Sequence, residues 1–155
     1  MNIAALDYTF KQEALDIYVS GCQGPHCKNC HNPQLWSFDI GSYWTKWCDS
    51  ITEYILNFSD YIKNIMVFGG EPLDQDINEL IKFLKWLELF NKNIWLFTGR
   101  ESLDKVPERV LQYLDYIKIG SYQEDKKPGK EYFGIELASS NQIIYKLQDK
   151  DLKNE

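Results

Sequence analysis

Apolar positions along the chain follow two periods, and the switch between them repeats. Residues 15–20, Leu-Asp-Ile-Tyr-Val-Ser, form a β-prone run closed by Gly21, which predicts a strand. Trp44, Trp47, Cys48, Ile51, Tyr54, Ile55 and Phe58 recur at helical spacing, the stripe of an amphipathic helix that Ser42 would cap. Residues 65–68 are continuously apolar and run directly into Gly69-Gly70-Glu71-Pro72, which predicts a buried strand and a loop. Ile77, Leu80, Ile81, Leu84 and Leu87 give a second helical stripe, opened by Asp74 and Asp76, whose charge suits a helix N-terminus.

After a turn at residues 91–93, residues 94–97 are a third strand ending in Thr98-Gly99-Arg100. A shorter helix is predicted around Val110, Leu111 and Leu114, with Pro107 suited to its first turn. Residues 116–119 make a fourth strand ending at Gly120, and residues 143–145 a last strand-like run. The polar segment 123–130, with Pro128 and Gly129, is a candidate lid. The charged tail 148–155 is expected to fray.

Strands alternating with helices predict an α/β fold with a mainly parallel sheet and right-handed crossovers, one domain over residues 1–155. Ligands of such sheets bind at the carboxyl ends of the strands. The loops at 22–30, 69–72, 98–100 and 120–122 should therefore line one mouth.

Composition narrows the function. Hydrophobic residues make up 44% and aromatics 15%, and the net charge is −6, a globular balance that argues against a sequence-independent grip on nucleic acid. Residues 1–10 show neither a basic start nor an apolar signal core, and no apolar run approaches a membrane span. A cytoplasmic protein with no membrane association is expected, in which clustered cysteines serve as metal ligands or redox groups more often than as disulfides.

Three of the four cysteines, Cys22, Cys27 and Cys30, fall in one loop rich in Gly, Pro, Asn and His. Three soft thiolates leave a tetrahedral ion or an iron–sulfur cube one ligand short. The spacing alone leaves level a [4Fe–4S] cluster with one exchangeable iron and a zinc ion completed by His26, His31 or Cys48. Cys27-Lys28-Asn29-Cys30-His31 also matches covalent haem attachment, against which stand the α/β pattern, the third cysteine and the lack of a leader. Cys48 lies on the apolar stripe and reads as a small core residue. The Gly69-Gly70-Glu71-Pro72 loop is by itself a tight turn. Beside a cysteine loop, its glycines would let backbone approach a ligand and its carboxylate would hold a cationic amino group.

The ordered set of motifs resembles the radical S-adenosylmethionine enzymes, and within them the small activating proteins of anaerobic ribonucleotide reductase and related glycyl-radical enzymes. The resemblance rests on V-S-G-C and C-K-N-C-H-N-P-Q-L-W within residues 19–36, F-G-G-E-P-L at 68–73, T-G-R at 98–100, D-Y-I-K-I-G at 115–120 and L-A-S-S-N-Q at 137–142. It implies a partial (β/α) barrel with the cluster loop after the first core strand. It implies a [4Fe–4S] cluster on Cys22, Cys27 and Cys30, with S-adenosylmethionine on the fourth iron. Gly69, Gly70, Glu71 and Pro72 would hold the methionine end, with Asn29, Thr98 and Arg100 as further cofactor contacts. It also implies reductive cleavage to a 5′-deoxyadenosyl radical, a reduced flavodoxin or ferredoxin as electron donor, and a glycyl-radical enzyme as partner, foremost anaerobic ribonucleotide reductase.

Two features depart from the family. Four residues separate Cys22 from Cys27 where the family usually has three, and the Gly-Pro-Gly and Arg stretch often found before the first strand is not visible in residues 7–14. Four side chains keep two readings each: His31 and Asn32 shape the loop, Asn32 through an Asx-type turn before Pro33, or contact the cofactor; Arg100 is an exposed strand-end charge or contacts a carboxylate or ribose; Lys118 snorkels or points into the barrel. Two alternative functions remain, a radical S-adenosylmethionine enzyme acting on a small molecule such as a nucleobase precursor, and a noncatalytic zinc-binding module.

Overall fold

The computed structural model of the protein describes residues 1–147. Its strands and helices, in chain order, are β1 (Asn2–Thr9), β2 (Ala14–Val19), β3 (Ser42–Tyr43), α1 (Cys48–Asn57), β4 (Asn64–Gly69), α2 (Ile77–Leu87), β5 (Asn93–Phe97), α3 (Glu108–Leu111), β6 (Tyr116–Ile119), β7 (Glu131–Tyr132), β8 (Ile135–Glu136) and β9 (Ile143–Lys146). The sheet runs β3-β1-β2-β4-β5-β6-β9. Its centre, β2-β4-β5-β6, is parallel, whereas β1 joins β2, and β9 joins β6, in antiparallel fashion. The α/β architecture with a parallel core is thus present, extended by antiparallel strands at both sides.

Alternation along the parallel strands builds two cores. Ile17, Val19, Ile65, Val67, Ile94, Leu96, Ile117 and Ile119 face the helices and pack with Ile51, Ile55, Leu80, Phe83, Leu84, Leu87 and Val110. Ala14, Met66 and Trp95 point the other way, with Phe68, Phe97 and Tyr116, and are covered by Leu137, Tyr132 and Ile135 around the β7–β8 hairpin. The sheet therefore lies between helices on one side and the 121–142 segment on the other.

Several local expectations are corrected. Ser42 belongs to β3 and caps no helix; the stripe begins as a 3-10 turn, Trp44–Trp47, and α1 starts at Cys48 without a side-chain cap. Asp76 is the N-cap of α2, accepting the Glu79 amide at 3.0 Å, while Asp74 belongs to a separate 3-10 turn, Pro72–Asp74. The third helix is a single turn with Pro107 at its N-cap, and Leu114 lies beyond it. Asn32 makes no side-chain cap, so the Asx-type turn is absent; the turn closes instead through the Leu35 amide on the Asn32 carbonyl at 3.0 Å. Residues 148–155, expected to fray, lie outside the described residues. Among the described residues no helix is long and apolar enough to cross a membrane.

Candidate functional site

The cysteine loop leaves β2 and is tied at its root. The Gly21 amide donates to the Leu35 carbonyl at 2.8 Å and the Cys22 amide to that of Trp36 at 3.0 Å, while Leu35 is buried. The loop is thereby a closed excursion on a fixed base. Within it the Cys30 amide donates to the Cys27 carbonyl at 3.1 Å, and the Asn32 amide lies 3.4 Å from Cys30 Sγ. Gln23, Pro25 and His26 are exposed, so the longer first spacing is taken up as an outward bulge. The His26 ring stacks on Trp36, centroids 3.8 Å apart, and its Nε2 donates to the Cys22 carbonyl at 2.8 Å. His26 is therefore engaged in holding the bulge.

The second loop is fastened directly to the first. The Gly70 amide donates to the Val19 carbonyl at 3.0 Å and the Glu71 amide to the Gly21 carbonyl at 2.7 Å. A Cβ on Gly69 would lie 2.0 Å from the Val19 oxygen, and one on Gly70 2.3 Å from the Gly21 oxygen. The glycines are thus required by chain-to-chain approach between the two loops, a reason additional to ligand access. Glu71 is buried, and its carboxylate gathers the Leu73 amide at 3.0 Å, the Thr98 hydroxyl at 2.6 Å and the Gly99 amide at 2.7 Å. It locks the second strand end to the third. A carboxylate has about four acceptor positions, so one remains open.

Arg100 turns to Asp74, Nη2 to Oδ1 2.8 Å, and the other carboxylate oxygen accepts the Gln23 amide at 2.8 Å. Buried Gln75 donates to the Ser20 carbonyl at 2.9 Å. Lys118 points inward, its ammonium donating to the Thr98 and Gly120 carbonyls at 3.2 and 2.9 Å, and burial pulls it down to about 8. At the fourth strand end Asn141 donates to the Ser121 carbonyl at 2.8 Å. The loop segment 123–130 is tied to the cysteine loop, Asn29 Nδ2 donating to Glu124 at 2.6 Å, and His31 packs on Tyr122 with centroids 4.5 Å apart.

These elements enclose a cavity of about 370 Å³ lined by Cys22, Cys27, Cys30, His31, Asn32, Gly69, Gly70, Glu71, Thr98 and Lys118, with Tyr122, Leu137 and Gln142 on the far wall. Pro72, Asn29 and Arg100 do not line it: Pro72 is buried in the turn behind Glu71, and the other two serve the contacts just described. Cys48 lies on the helical side, its thiol 3.8 Å from the Trp44 carbonyl. Sequence reasoning did not anticipate the parts of Asp74 and Gln75. Asp74 was visible as a charge next to the second loop, but nothing in the linear chain links it to Gln23 or Arg100.

A family described as a 4Fe-4S single cluster domain matches residues 14–145. The chain belongs to that family. The match begins with β2 and ends in β9, so it takes in every loop of the cavity. The chain is also similar to the anaerobic ribonucleoside-triphosphate reductase-activating protein of Enterobacteria phage T4, 28% identical over 137 residues that cover 86% of this chain and 83% of the relative.

The donor set fits the single cluster that the family's description names. Cys22, Cys27 and Cys30 are all free thiols, partly buried, on one cavity. Three thiols on one cavity are a donor set that a cube with thiolates on separate iron corners accepts. Burial pushes the Cys22 thiol above its ordinary value, partly offset by the Gly24 backbone.

Proposed function

We propose that the protein is a radical S-adenosylmethionine activase, a single cytoplasmic domain with a partial (β/α) barrel, whose partner is a glycyl-radical enzyme of the anaerobic ribonucleotide reductase type. The observation that carries this reading is that three thiols and the Gly69-Gly70-Glu71 backbone line the same cavity. Cys22, Cys27 and Cys30 would hold the [4Fe–4S] cluster, which when bound supplies the electron that cleaves S-adenosylmethionine to methionine and a 5′-deoxyadenosyl radical. A reduced flavodoxin or ferredoxin suits the role of donor.

This chain's own residues bind and orient. The open acceptor position of Glu71, beside Gly69 and Gly70 on the cavity wall, would take a cationic amino group, and Thr98, bonded to Glu71, holds that carboxylate in place. Pro72 fixes the turn behind Glu71. Arg100 and Asn29 support the cofactor indirectly, by anchoring the cysteine loop through Asp74 and Glu124. Lys118 gives the floor of the cavity a positive charge, suited to a carboxylate. Phe68 and Phe97, 4.1 Å apart, form an apolar wall that limits water near the reacting atoms. The likeness to the phage activating protein supports the choice of partner.

The test is anaerobic reconstitution followed by reduction with S-adenosylmethionine present. Formation of 5′-deoxyadenosine with about four irons and four sulfides per chain is the expected result; about one zinc per chain and no iron would overturn it. Adding an anaerobic ribonucleotide reductase and recording the radical spectrum then tests the partner.

A further inference from the structure

The non-helical face of the sheet carries a buried charged side chain, Asp16, that the cofactor does not use. On β2 the buried Ile17 and Val19 face the helices, so Asp16 and Tyr18 point to the opposite side. There Asp16 lies in register with Met66 of β4, itself opposite Trp95 of β5 and, through it, Tyr116 of β6. Asp16 is only 4% exposed. One carboxylate oxygen accepts the Thr9 hydroxyl, and the other, Oδ1, has no partner. Asp7 is its register neighbour on β1.

Asp16 lines a second cavity, of about 240 Å³, together with Thr9, Lys11 and Gln12. Phe68, Phe97, Ile135 and Glu136 line this cavity and also the cysteine cavity. The two spaces are neighbours behind one wall, and Asp16 lies three residues below the last residue of β2, on the order of 10 Å along the strand. A buried acceptor without a donor is a vacancy for a hydrogen bond, because leaving it unmade costs its desolvation.

Resting on the activase reading, we infer that Asp16 is a positioning residue that accepts a backbone N–H of the polypeptide segment carrying the target glycine. The chemistry selects a peptide over an amine. An ammonium group brings three donors, and among the described residues no second buried acceptor without a partner lines this cavity. A peptide N–H brings one donor. A glycine segment also has no side chain to collide with Phe68 and Phe97, and its donors would otherwise meet an apolar wall. Lys11 and Glu136, the other charged groups on this cavity, are both exposed and retain water.

The experiment uses the reconstituted holoprotein and a synthetic peptide spanning the target glycine of an anaerobic ribonucleoside-triphosphate reductase, with versions N-methylated at the glycine or at either neighbour. For the wild type, one methylation should weaken binding about tenfold, the scale of a hydrogen bond to a charged acceptor. In Asp16→Ala, unmethylated peptide should bind about tenfold more weakly, and that methylation should cost nothing further. A merely structural role would leave the methylation effect equal in both proteins and would overturn the assignment. So would equal affinity of the wild type for every peptide, which keeps the test decisive if Asp16→Ala does not fold. Cleavage of S-adenosylmethionine without peptide should be unchanged in Asp16→Ala. If the wild type itself forms no 5′-deoxyadenosine, the activase reading fails and this inference falls with it; if it does and methylation has no effect, only the role of Asp16 is lost.

Discussion

Arg100 reaches the carboxylate of Asp74 at 2.8 Å, and that carboxylate in turn accepts the amide of Gln23, the residue after Cys22, at 2.8 Å. The third strand end thus steadies the cysteine loop through one side chain that is itself only 7% exposed. Removing the cation leaves that acid with a single amide donor. Arg100→Ala should lower stability by about 1–2 kcal/mol and slow cluster uptake without abolishing it. Asp74→Asn should act in the same direction, because the amide weakens both contacts. Unfolding by urea and iron content after a fixed reconstitution time measure the two effects.

Much of the frame was legible because the parallel strands are buried on both faces. Residues 65–68 and 94–97 read as apolar runs, and 116–119 as a strand interrupted only by Lys118; they are the cores of β4, β5 and β6. β1 escaped because it lies toward the antiparallel edge, buries only Ile3 fully, and its short apolar run, residues 3–6, is half alanine, a residue depleted in strands. The cysteines and the glycine pair stood out as dense local motifs. Asp74, Gln75 and Asp16 did not, because their meaning lies in contacts with distant residues. Asp16 in particular looks like the polar member of an alternating strand, yet the face it points to is covered by the 121–142 segment.

The joint between the first two loops leaves no room for a side chain. A Cβ at position 70 would meet the Gly21 oxygen at 2.3 Å and one at 69 the Val19 oxygen at 2.0 Å, both backbone atoms. Relief requires the cysteine loop to move. Gly70→Ala should therefore cost about 3 kcal/mol or more and displace Cys22 from its place in the set. Gly69→Ala adds backbone strain, since φ there is +140°. By contrast Gly134→Ala has open space around its Cβ but a φ of +79° and should cost only about 1 kcal/mol. Thermal unfolding of the three variants gives the ranking.

The four cysteines divide by position. Cys22, Cys27 and Cys30 line the cavity, whereas Cys48 opens α1 and packs against the helical core. Serine at any of the first three should prevent stable assembly of the cluster, seen as loss of bound iron and sulfide. Cys48→Ser should keep the full complement, with a stability loss of about 1 kcal/mol from placing a hydroxyl in an apolar setting. An equal loss of iron from Cys48→Ser would require a four-cysteine site.

Asp16 also sets a pH signature that needs no cofactor. Burial raises it from 3.8 to about 6, with Asp7 adding to the rise and the Thr9 bond opposing it. Lys11 and Glu136 are the other charged groups on its cavity, both exposed. Because the folded state holds this proton more tightly, the group favours folding below about 3.8, and that contribution is lost as pH rises through about 6. At pH 7 the buried charge should cost about 3 kcal/mol. Asp16→Asn should therefore be the more stable protein at neutral pH, and its advantage should shrink steadily on titration toward pH 4. Urea unfolding of both proteins across that range measures the convergence; parallel curves would mean that Asp16 is as readily ionised in the folded protein as in the unfolded chain.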